Sequence, residues 1–319
     1  MKILAAGGAG FVGSNFILYW QKHHPWDHLV CVDALKRRMG LRGLGAAFEV
    51  PSFAFIEADI SDQKTMESLL KVEKPDVVIN FAAQGRVRDT PEACMANVTG
   101  TVRLLSACAA CKVPRYHQVS TAEVYGTLAP GDEHQIYETE GPNPESFYAA
   151  SKAAADDFVL AFGKKHRLSV TISRCTANYG PAQYPNALIP KTIIEALHNQ
   201  ELAVPGTGQN LRDWVYIDDH CRAIDRILFN GEAGEIYNVA SGTEKRDIET
   251  IQTICDALGK ASGALDNVPG PGPDDKWYTA NADKIHDKLN WTPRTSWESG
   301  IKNTYEWYLH HMDWWEDQQ

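Results

Sequence analysis

The chain opens with a short apolar stretch, residues 2–6, that runs directly into a glycine-rich turn and then into a helical pattern. Glycines follow a G-x-x-G-x-x-G spacing from Gly7 and a G-x-G-x-x-G spacing from Gly8. Glycine permits a tight turn with close backbone approach, and the free N–H groups at a helix N-terminus attract a pyrophosphate. This order predicts a dinucleotide-binding strand, turn and helix. The residues predicted to contact the dinucleotide are Gly7, Gly10, Phe11, Val12 and Gly13.

An acidic residue further along indicates which dinucleotide is bound. Asp33 lies 20 residues beyond Gly13, at the end of the second predicted strand, where a carboxylate accepts hydrogen bonds from an adenosine ribose. The same carboxylate would repel a 2′-phosphate, which favours NAD over NADP. Lys36, Arg37 and Arg38 follow closely and keep NADP as the alternative.

Short apolar stretches alternate with helical patterns through the first half of the chain. The predicted strands cover residues 2–6, 29–32, 53–57, 77–81, 116–120 and 169–174. The predicted helices lie near residues 12–23, 63–72, 92–112, 147–166 and 187–199. Such alternation requires crossover connections, so it predicts an α/β fold with a doubly wound parallel sheet.

Turn-rich segments interrupt shorter elements in the second half of the chain. We therefore predict a cofactor-binding domain over residues 1–177, with a returning segment near 213–240, and a smaller, mainly substrate-binding lobe over 178–319. Near the C-terminus, apolar residues recur at helical spacing, which predicts a helix packed into the core. These residues are Trp297, Ile301, Tyr305, Tyr308 and Leu309.

Charge and cysteine content argue against several classes of function. The formal net charge is −10, whereas nucleic acids and anionic membranes bind clustered Lys and Arg. We find no bilayer-spanning apolar run and no signal peptide, and seven cysteines indicate reduced thiols in the cytoplasm. Cys108 and Cys111 form a C-x-x-C in an apolar helix, where we expect buried packing rather than a metal or redox site.

Tyr148 and Lys152 are four residues apart, so a helix would place both side chains on one face. A tyrosine ordinarily has a pKa of about 10, but a neighbouring ammonium and an oxidised nicotinamide would both stabilise the phenolate. The pair therefore predicts a base that removes a hydroxyl proton near neutral pH.

Several segments together resemble the extended short-chain dehydrogenase/reductase family. They are residues 7–16, 57–60, 120–126, 148–152, 174–181 and 212–220. Within that family the chain is most similar to the nucleotide-sugar 4,6-dehydratases of the dTDP-glucose type. The resemblance implies a Rossmann fold, NAD as cofactor, a nucleotide-diphosphate sugar as substrate, and a homodimer.

The resemblance also implies a role for each matching residue. Asp59, Ile60 and Ala82 would line the cofactor, with Asp59 near the adenine, and Lys152 would hold the nicotinamide ribose. In such enzymes a C4 hydroxyl is oxidised, C5 loses a proton, water leaves from C6, and hydride returns to C6.

The resemblance also implies contacts with the substrate. Thr121 would bond the sugar hydroxyl that is oxidised, and Tyr148 would take its proton. Asn178 and Arg212 would face the nucleotide diphosphate, and the planar fork of an arginine matches phosphate oxygens.

The segment that contains Glu123 distinguishes a dehydratase from an epimerase. A carboxylate at a strand end beside Tyr148 would remove the C5 proton, and simple 4-epimerases do not need such a base. Where the dTDP-glucose type has an aspartic acid that protonates the departing hydroxyl, this chain has Ala122, which cannot donate a proton. Arg86 and Arg88 depart from the family's usual order and would read a different sugar or an additional anionic group.

Several outcomes remain open at this point. We expect 4,6-dehydration, with a 4-epimerase, a 5,6-dehydratase and a UDP-glucuronate decarboxylase as alternatives. A non-catalytic NAD(H)-binding regulator would use the same fold. Residues 268–273 lack the arginine that the family places before a proline–glycine pair. The alanines predicted to pack against the second subunit of a homodimer are Ala149, Ala150, Ala153, Ala154 and Ala155.

Overall fold

The structure is a computed structural model that describes residues 1–36, 40–85, 89–202, 204–260 and 276–316. Its contacts divide the described residues into two compact units. Unit 1 lies within Met1–Gly126, Glu138–Arg174 and Cys221–Tyr237, and unit 2 lies within Thr127–Tyr137, Cys175–His220 and Asn238–Gln319.

These units differ from the predicted division in three places, the first being that residues 175–177 lie in unit 2. Residues Thr127–Tyr137, expected in the first domain, belong to unit 2. The segment that returns to unit 1 is Cys221–Tyr237, shorter than the predicted 213–240.

A seven-stranded sheet has the order β3-β2-β1-β4-β5-β6-β9. Its strands are β1 (Lys2–Ala6), β2 (His28–Asp33), β3 (Phe53–Glu57), β4 (Val77–Asn80), β5 (Arg115–Thr121), β6 (Ser169–Cys175) and β9 (Ile236–Val239). β1 pairs in parallel with β2 and with β4, so the chain changes direction across the sheet between β1 and β4. The predicted doubly wound parallel sheet is confirmed, and ligands of such sheets bind at this switch point.

The helices that accompany this sheet lie within two residues of their predicted bounds. They are α1 (Phe11–His23), α2 (Gln63–Glu73), α3 (Pro91–Ala110) and α4 (Phe147–His166). α6 (Ile217–Asn230) and two 3-10 helices, Arg42–Glu49 and Ala122–Tyr125, were not predicted. Side chains from the strands and from α2, α3 and α4 form one apolar core.

Unit 2 is organised around β8 (Leu211–Tyr216), which pairs in parallel with β7 (Ala177–Tyr179) and β11 (Trp277–Tyr278) and antiparallel with β10 (Glu244–Arg246). Its helices are α5 (Leu188–Leu197), α7 (Asp247–Leu258), α8 (Asp283–Leu289), α9 (Trp297–His310) and α10 (Met312–Glu316). Trp297, Ile301 and Tyr308 are buried as predicted. The prediction is wrong for Leu309, whose exposed fraction is 46%.

Two expectations about packing have different outcomes. Cys108 is fully buried, and burial raises the pKa of its thiol well above the usual range, which confirms the packing role for Cys108, whereas Cys111 is only half-buried. By contrast, Ala149, Ala153 and Ala155 are buried inside unit 1, so only Ala150 and Ala154 remain for a partner. Among the described residues, no helix has the length and apolar character needed to cross a bilayer.

Candidate active site

The glycine turn lies at the carboxyl end of β1, at the switch point of the sheet. Gly7 has φ +74°, and its N–H donates to the Val32 carbonyl oxygen over 2.7 Å. A Cβ at Gly7 would lie 2.4 Å from the Ala82 nitrogen, so only glycine fits. The loop after β4 therefore lies directly against the turn, which places Ala82 beside the predicted cofactor site.

The N-terminus of α1 supplies donors for an anion. Gly10 is the residue before the helix, and it provides no side-chain cap. The first N–H groups of a helix have no partner within it, and those of Phe11, Val12 and Gly13 belong to this set. With the positive end of the helix dipole, they form a site for a pyrophosphate.

The other glycines of the turn differ in how closely their neighbours pack against them. A Cβ at Gly13 would lie 2.7 Å from the Gly7 carbonyl oxygen, and one at Gly8 would lie 2.6 Å from Cys31 Sγ. Both glycines allow α1 to pack closely on β1. A Cβ at Gly10 would meet only the Gly7 carbonyl oxygen, at 3.4 Å. Gly10 is thus free of packing constraints and suits close approach by a ligand.

Asp33 ends β2 and faces the same turn. Its Oδ2 accepts a hydrogen bond from the Ala9 N–H at 3.1 Å, and its Oδ1 accepts one from the Leu35 N–H at 2.9 Å. These backbone donors fix the carboxylate beside the turn. Each oxygen keeps a second lone pair for a ribose hydroxyl, so the arrangement fits NAD.

Asp59 follows β3 and forms an ion pair with Lys36, with Nζ and Oδ2 2.5 Å apart. Burial alone would raise the pKa of Asp59, but hydrogen bonds from Lys36 and Ser61 lower it. Lys36, a candidate contact for a 2′-phosphate, is therefore engaged with a carboxylate. Ile60 packs against α3, where its Cδ1 would lie 2.9 Å from a Cβ at Gly100.

α4 carries the Tyr148 and Lys152 pair one helical turn apart, as the spacing predicts. Tyr148 is half-buried, and its backbone N–H donates to Asp89 Oδ1 over 2.7 Å. Lys152 is only 3% exposed, and its Nζ donates to the Val119 carbonyl oxygen over 2.7 Å. Burial lowers the pKa of Lys152 to about 8, and the negative charge of Asp156 opposes this shift.

β5 ends beside α4 with the predicted threonine and glutamate. Thr121 Oγ1 accepts a hydrogen bond from the Glu123 N–H at 3.2 Å, which caps the 3-10 turn Ala122–Tyr125. The accepted bond leaves the Thr121 hydroxyl proton to be donated. Ala122 is buried and Glu123 is half-buried. Because Lys152 contacts Val119 on the same strand, unit 1 brings the four predicted catalytic residues to one region.

Asn97 was missed by the sequence analysis, although it connects three elements of unit 1. Its Nδ2 donates to the Gln84 carbonyl oxygen over 3.1 Å and to Ser151 Oγ over 2.9 Å. Ser151 Oγ in turn donates to the Tyr148 carbonyl oxygen over 2.7 Å. The bonds link α3 and the loop after β4 to the helix that carries Tyr148. The signal available in the sequence was an amide between two apolar neighbours, Ala96 and Val98.

The two predicted diphosphate contacts lie in unit 2. Arg212 Nε donates to Asp247 Oδ1 over 2.8 Å and its Nη2 donates to Oδ2 over 3.4 Å, so a fully buried carboxylate orients the guanidinium. These bonds leave Nη1 for an anion. Asn178 pairs with Val215, three residues from Arg212 along β8, or about 10 Å. The structure therefore places them on neighbouring strands without direct contact.

Some predicted residues lie outside the described part of the chain. They are Arg37, Arg38, Arg86, Arg88 and residues 268–273.

Comparison with known proteins agrees with this geometry. Residues 3–240 match the NAD dependent epimerase/dehydratase family. The chain belongs to this family. It is 36% identical to dTDP-glucose 4,6-dehydratase from Shigella flexneri over 345 residues, which cover 99% of this chain and 95% of that protein.

Solved structures of the epimerase/dehydratase family show the same fold. The dTDP-glucose 4,6-dehydratase of Bacillus anthracis in complex with NAD has a TM-score of 0.92 and 35% identity, with all of both chains covered. DesIV, the dTDP-glucose 4,6-dehydratase of Streptomyces venezuelae with NAD and TYD bound, has a TM-score of 0.90 and 33% sequence identity, and the match covers all of both chains. UDP-glucose 4-epimerase from Thermotoga maritima has a TM-score of 0.86 and 26% sequence identity, and the match covers 98% of this chain and 100% of that chain.

The match to the epimerase/dehydratase family includes most, but not all, of the residues described above. The glycine turn, Tyr148, Lys152 and Arg212 all lie within the matched residues 3–240. Asp247, which orients Arg212, lies beyond them. The matched residues 3–240 therefore do not include the carboxylate that orients the predicted phosphate contact.

Proposed function

We propose that this member of the epimerase/dehydratase family catalyses the NAD-dependent dehydration of a nucleotide-diphosphate hexose, of the 4,6-dehydratase type. The observation that carries the proposal is that Tyr148, Lys152, Thr121 and Glu123 lie on α4 and at the carboxyl end of β5, at the same edge of the parallel sheet as the glycine turn after β1. The dTDP-glucose 4,6-dehydratases at about 35% identity support this choice over an epimerase.

The glycine turn and Asp33 would hold NAD, with Lys152 at its nicotinamide ribose. When bound, NAD supplies the acceptor for hydride from C4 and returns hydride to C6. The fit rests on the uncapped N-terminus of α1 and on the space at Gly10.

Tyr148 removes the proton of the C4 hydroxyl. The buried ammonium of Lys152, one turn away, stabilises the phenolate that this step requires. Thr121 orients the same hydroxyl by donating a hydrogen bond, because its own lone pair already accepts from the Glu123 N–H. Oxidation at C4 then acidifies the proton at C5.

Glu123 removes the C5 proton, and the hydroxyl at C6 leaves as water. Ala122 cannot protonate that hydroxyl, so the proton comes from Glu123 itself or from solvent. Loss of one positioned acid costs about a hundredfold to ten-thousandfold in rate. We therefore expect slow elimination.

Arg212 and Asn178 would contact the diphosphate of the substrate. The Arg212 fork is fixed by Asp247, which lowers the cost of ordering it on binding.

The finer features of the proposal are a homodimer and a cytoplasmic location. α3 and α4 pack together, and Met95 on α3 is 56% exposed while Phe158 on α4 is 42% exposed. Ala150 lies on the same face of α4 as Phe158. This surface suits association of two copies, and the described cysteines, all reduced thiols, suit the cytoplasm.

Incubation with a panel of sugar nucleotides, followed by mass spectrometry, tests the proposal. We expect a product lighter by one water from dTDP-glucose or another nucleotide hexose. An unchanged mass with altered stereochemistry would identify the second candidate, a 4-epimerase, which the missing acid at Ala122 favours. Loss of carbon dioxide from UDP-glucuronate would identify a decarboxylase, and no turnover of any substrate would favour a regulator.

A further inference from the structure

A fully buried carboxylate lies one helical turn beyond Lys152 on α4. Asp156 has an exposed fraction of 0%. Its Oδ2 accepts hydrogen bonds from Ser120 Oγ at 2.9 Å and from Arg174 Nε at 3.0 Å. Its Oδ1 is buried and has no hydrogen bond. One oxygen is thus held from two strands, and the other remains an acceptor inside the protein.

The spacing of Lys152 and Asp156 places both side chains on the same face of α4. Lys152 Nζ donates one hydrogen bond, to the carbonyl oxygen of Val119. A carbonyl oxygen carries no net charge, so this bond does not neutralise a buried ammonium. The carboxylate of Asp156 provides the countercharge.

We propose that Asp156 is a positioning residue that keeps the buried ammonium of Lys152 protonated, while Ser120 and Arg174 fix the carboxylate in place. The inference rests on the proposed function, in which Lys152 stabilises the Tyr148 phenolate. It assigns the buried pair of Asp156 and Arg174 a part in the reaction beyond packing.

The directions of the pKa shifts agree with this arrangement. Burial lowers the pKa of Lys152 to about 8, and Asp156 is the charged group that raises it. Burial raises the pKa of Asp156, while Arg174 and Lys152 lower it. Without the carboxylate, the pKa of Lys152 falls below about 8, and the amine loses its proton closer to neutral pH.

Other groups near α4 do not replace Asp156 as countercharge. The buried ionisable side chains on the elements packed against it are Cys94 and Cys108 on α3, Tyr116 and His117 on β5, Tyr125 in the 3-10 turn, and Arg174 and Cys175 on β6. Burial raises the pKa of all three cysteines and both tyrosines, which keeps them neutral. Glu123 is half-buried in the 3-10 turn and is assigned to the substrate.

The test compares Asp156→Asn with the parent enzyme and with Asp157→Asn. Asp157 is the neighbouring carboxylate on α4 and is exposed, so it is a matched control for the change in charge. The pH profile of kcat/KM is measured with dTDP-glucose and the NAD-loaded enzyme. In Asp156→Asn we expect the alkaline limb of the profile to move to lower pH. If the pKa of Lys152 falls by one unit, kcat/KM at pH values above the limb should fall about tenfold. Asp157→Asn should keep the parent profile.

Asp156→Asn leaves Arg174 buried without its anion, which endangers folding. A second variant, Asp156→Leu/Arg174→Met, replaces the whole pair by apolar side chains of similar size, and we expect the same movement of the limb. Asp156→Glu, which restores the charge, should return the limb toward the parent position.

An unmoved alkaline limb in a folded variant that binds NAD would overturn the inference. Parent enzyme that forms neither NADH nor product from any sugar nucleotide would instead overturn the proposed function, and the inference with it. An active parent with an unmoved limb leaves the proposed function standing, so the two failures are distinguishable.

Discussion

Lys152 shows how a single residue acquires its chemistry from parts of the chain that are distant in sequence. The spacing to Tyr148 is local, and a helix of any origin would place the two side chains on one face. The hydrogen bond to Val119 and the burial of the ammonium, however, depend on α4 packing against β5. The sequence therefore predicts the pair and the helical spacing to Asp156, whereas the burial of Lys152 follows only from the tertiary structure.

Tyr148→Phe removes only the phenolic oxygen that accepts the C4 proton. We expect kcat for oxidation to fall by about a hundredfold to ten-thousandfold, while NAD affinity and the free energy of unfolding stay near parent values. Single-turnover formation of NADH, NAD titration and denaturant unfolding measure these three quantities. Parent-like NADH formation would remove Tyr148 from its assigned role.

Glu123→Gln separates oxidation at C4 from proton removal at C5. Because the amide cannot take a proton, we expect NADH formation to continue and the entry of solvent deuterium at C5 to stop. Ala122→Asp should leave oxidation unchanged and speed the loss of water. Mass spectrometry in deuterated water follows both variants, and rapid C5 exchange in Glu123→Gln would show that another group is the base.

The elements of the first half follow closely from sequence, and those of the second half do not. Strands such as β1 and β4 are buried on both faces, so they appear as uninterrupted apolar runs with predictable bounds. β7, β10 and β11 have two or three residues each, and pairing with β8 defines them. On α9, Tyr308 faces the core and the next residue, Leu309, cannot, because consecutive helical residues point about 100° apart.

Glycines of the turn between β1 and α1 allow cofactor binding to be tested apart from folding. A Cβ at Gly10 meets one atom at 3.4 Å, so Gly10→Ala should fold normally yet intrude where the pyrophosphate approaches. We expect a tenfold or greater loss of NAD affinity, about 1.4 kcal/mol or more, with little change in unfolding free energy.

Two further variants serve as controls for Gly10→Ala. Gly45→Ala, at a site with nothing within 4 Å, should change neither property. Gly13→Ala, where the Cβ would lie 2.7 Å from backbone atoms, should lower stability itself. Titration calorimetry and thermal unfolding measure both effects, and full NAD affinity in Gly10→Ala would place the cofactor elsewhere.

At the scale of the molecule, the chain passes between its two units more often than the sequence reveals. Residues Thr127–Tyr137 join unit 2, where the Ile136 carbonyl oxygen accepts hydrogen bonds from Asn238 Nδ2 at 3.0 Å and from the Asn281 N–H at 2.9 Å. These partners lie more than 100 residues away along the chain. No local pattern near residue 130 could have predicted them.

The exposed face of α3 and α4 leads to a prediction about assembly. Light scattering at micromolar concentration should give the mass of a homodimer, because association would cover Met95 and Phe158. Phe158→Glu should shift the mass toward one chain, whereas Phe229→Glu, a similarly exposed residue on α6, should not. A parent protein that is monomeric at this concentration would contradict the proposal.

The close packing at Gly7, Gly8 and Gly13 affects how tightly NAD binds and how slowly it is released. The turn is tightly packed, because the neighbouring backbone and the Cys31 side chain occupy the space into which side chains at these three positions would extend. A site that is already ordered loses little entropy when its ligand arrives, so more of the contact energy is available as affinity. Slow release suits an enzyme whose NAD ends each catalytic cycle in the state in which it began. We therefore expect the protein to be purified with NAD still bound.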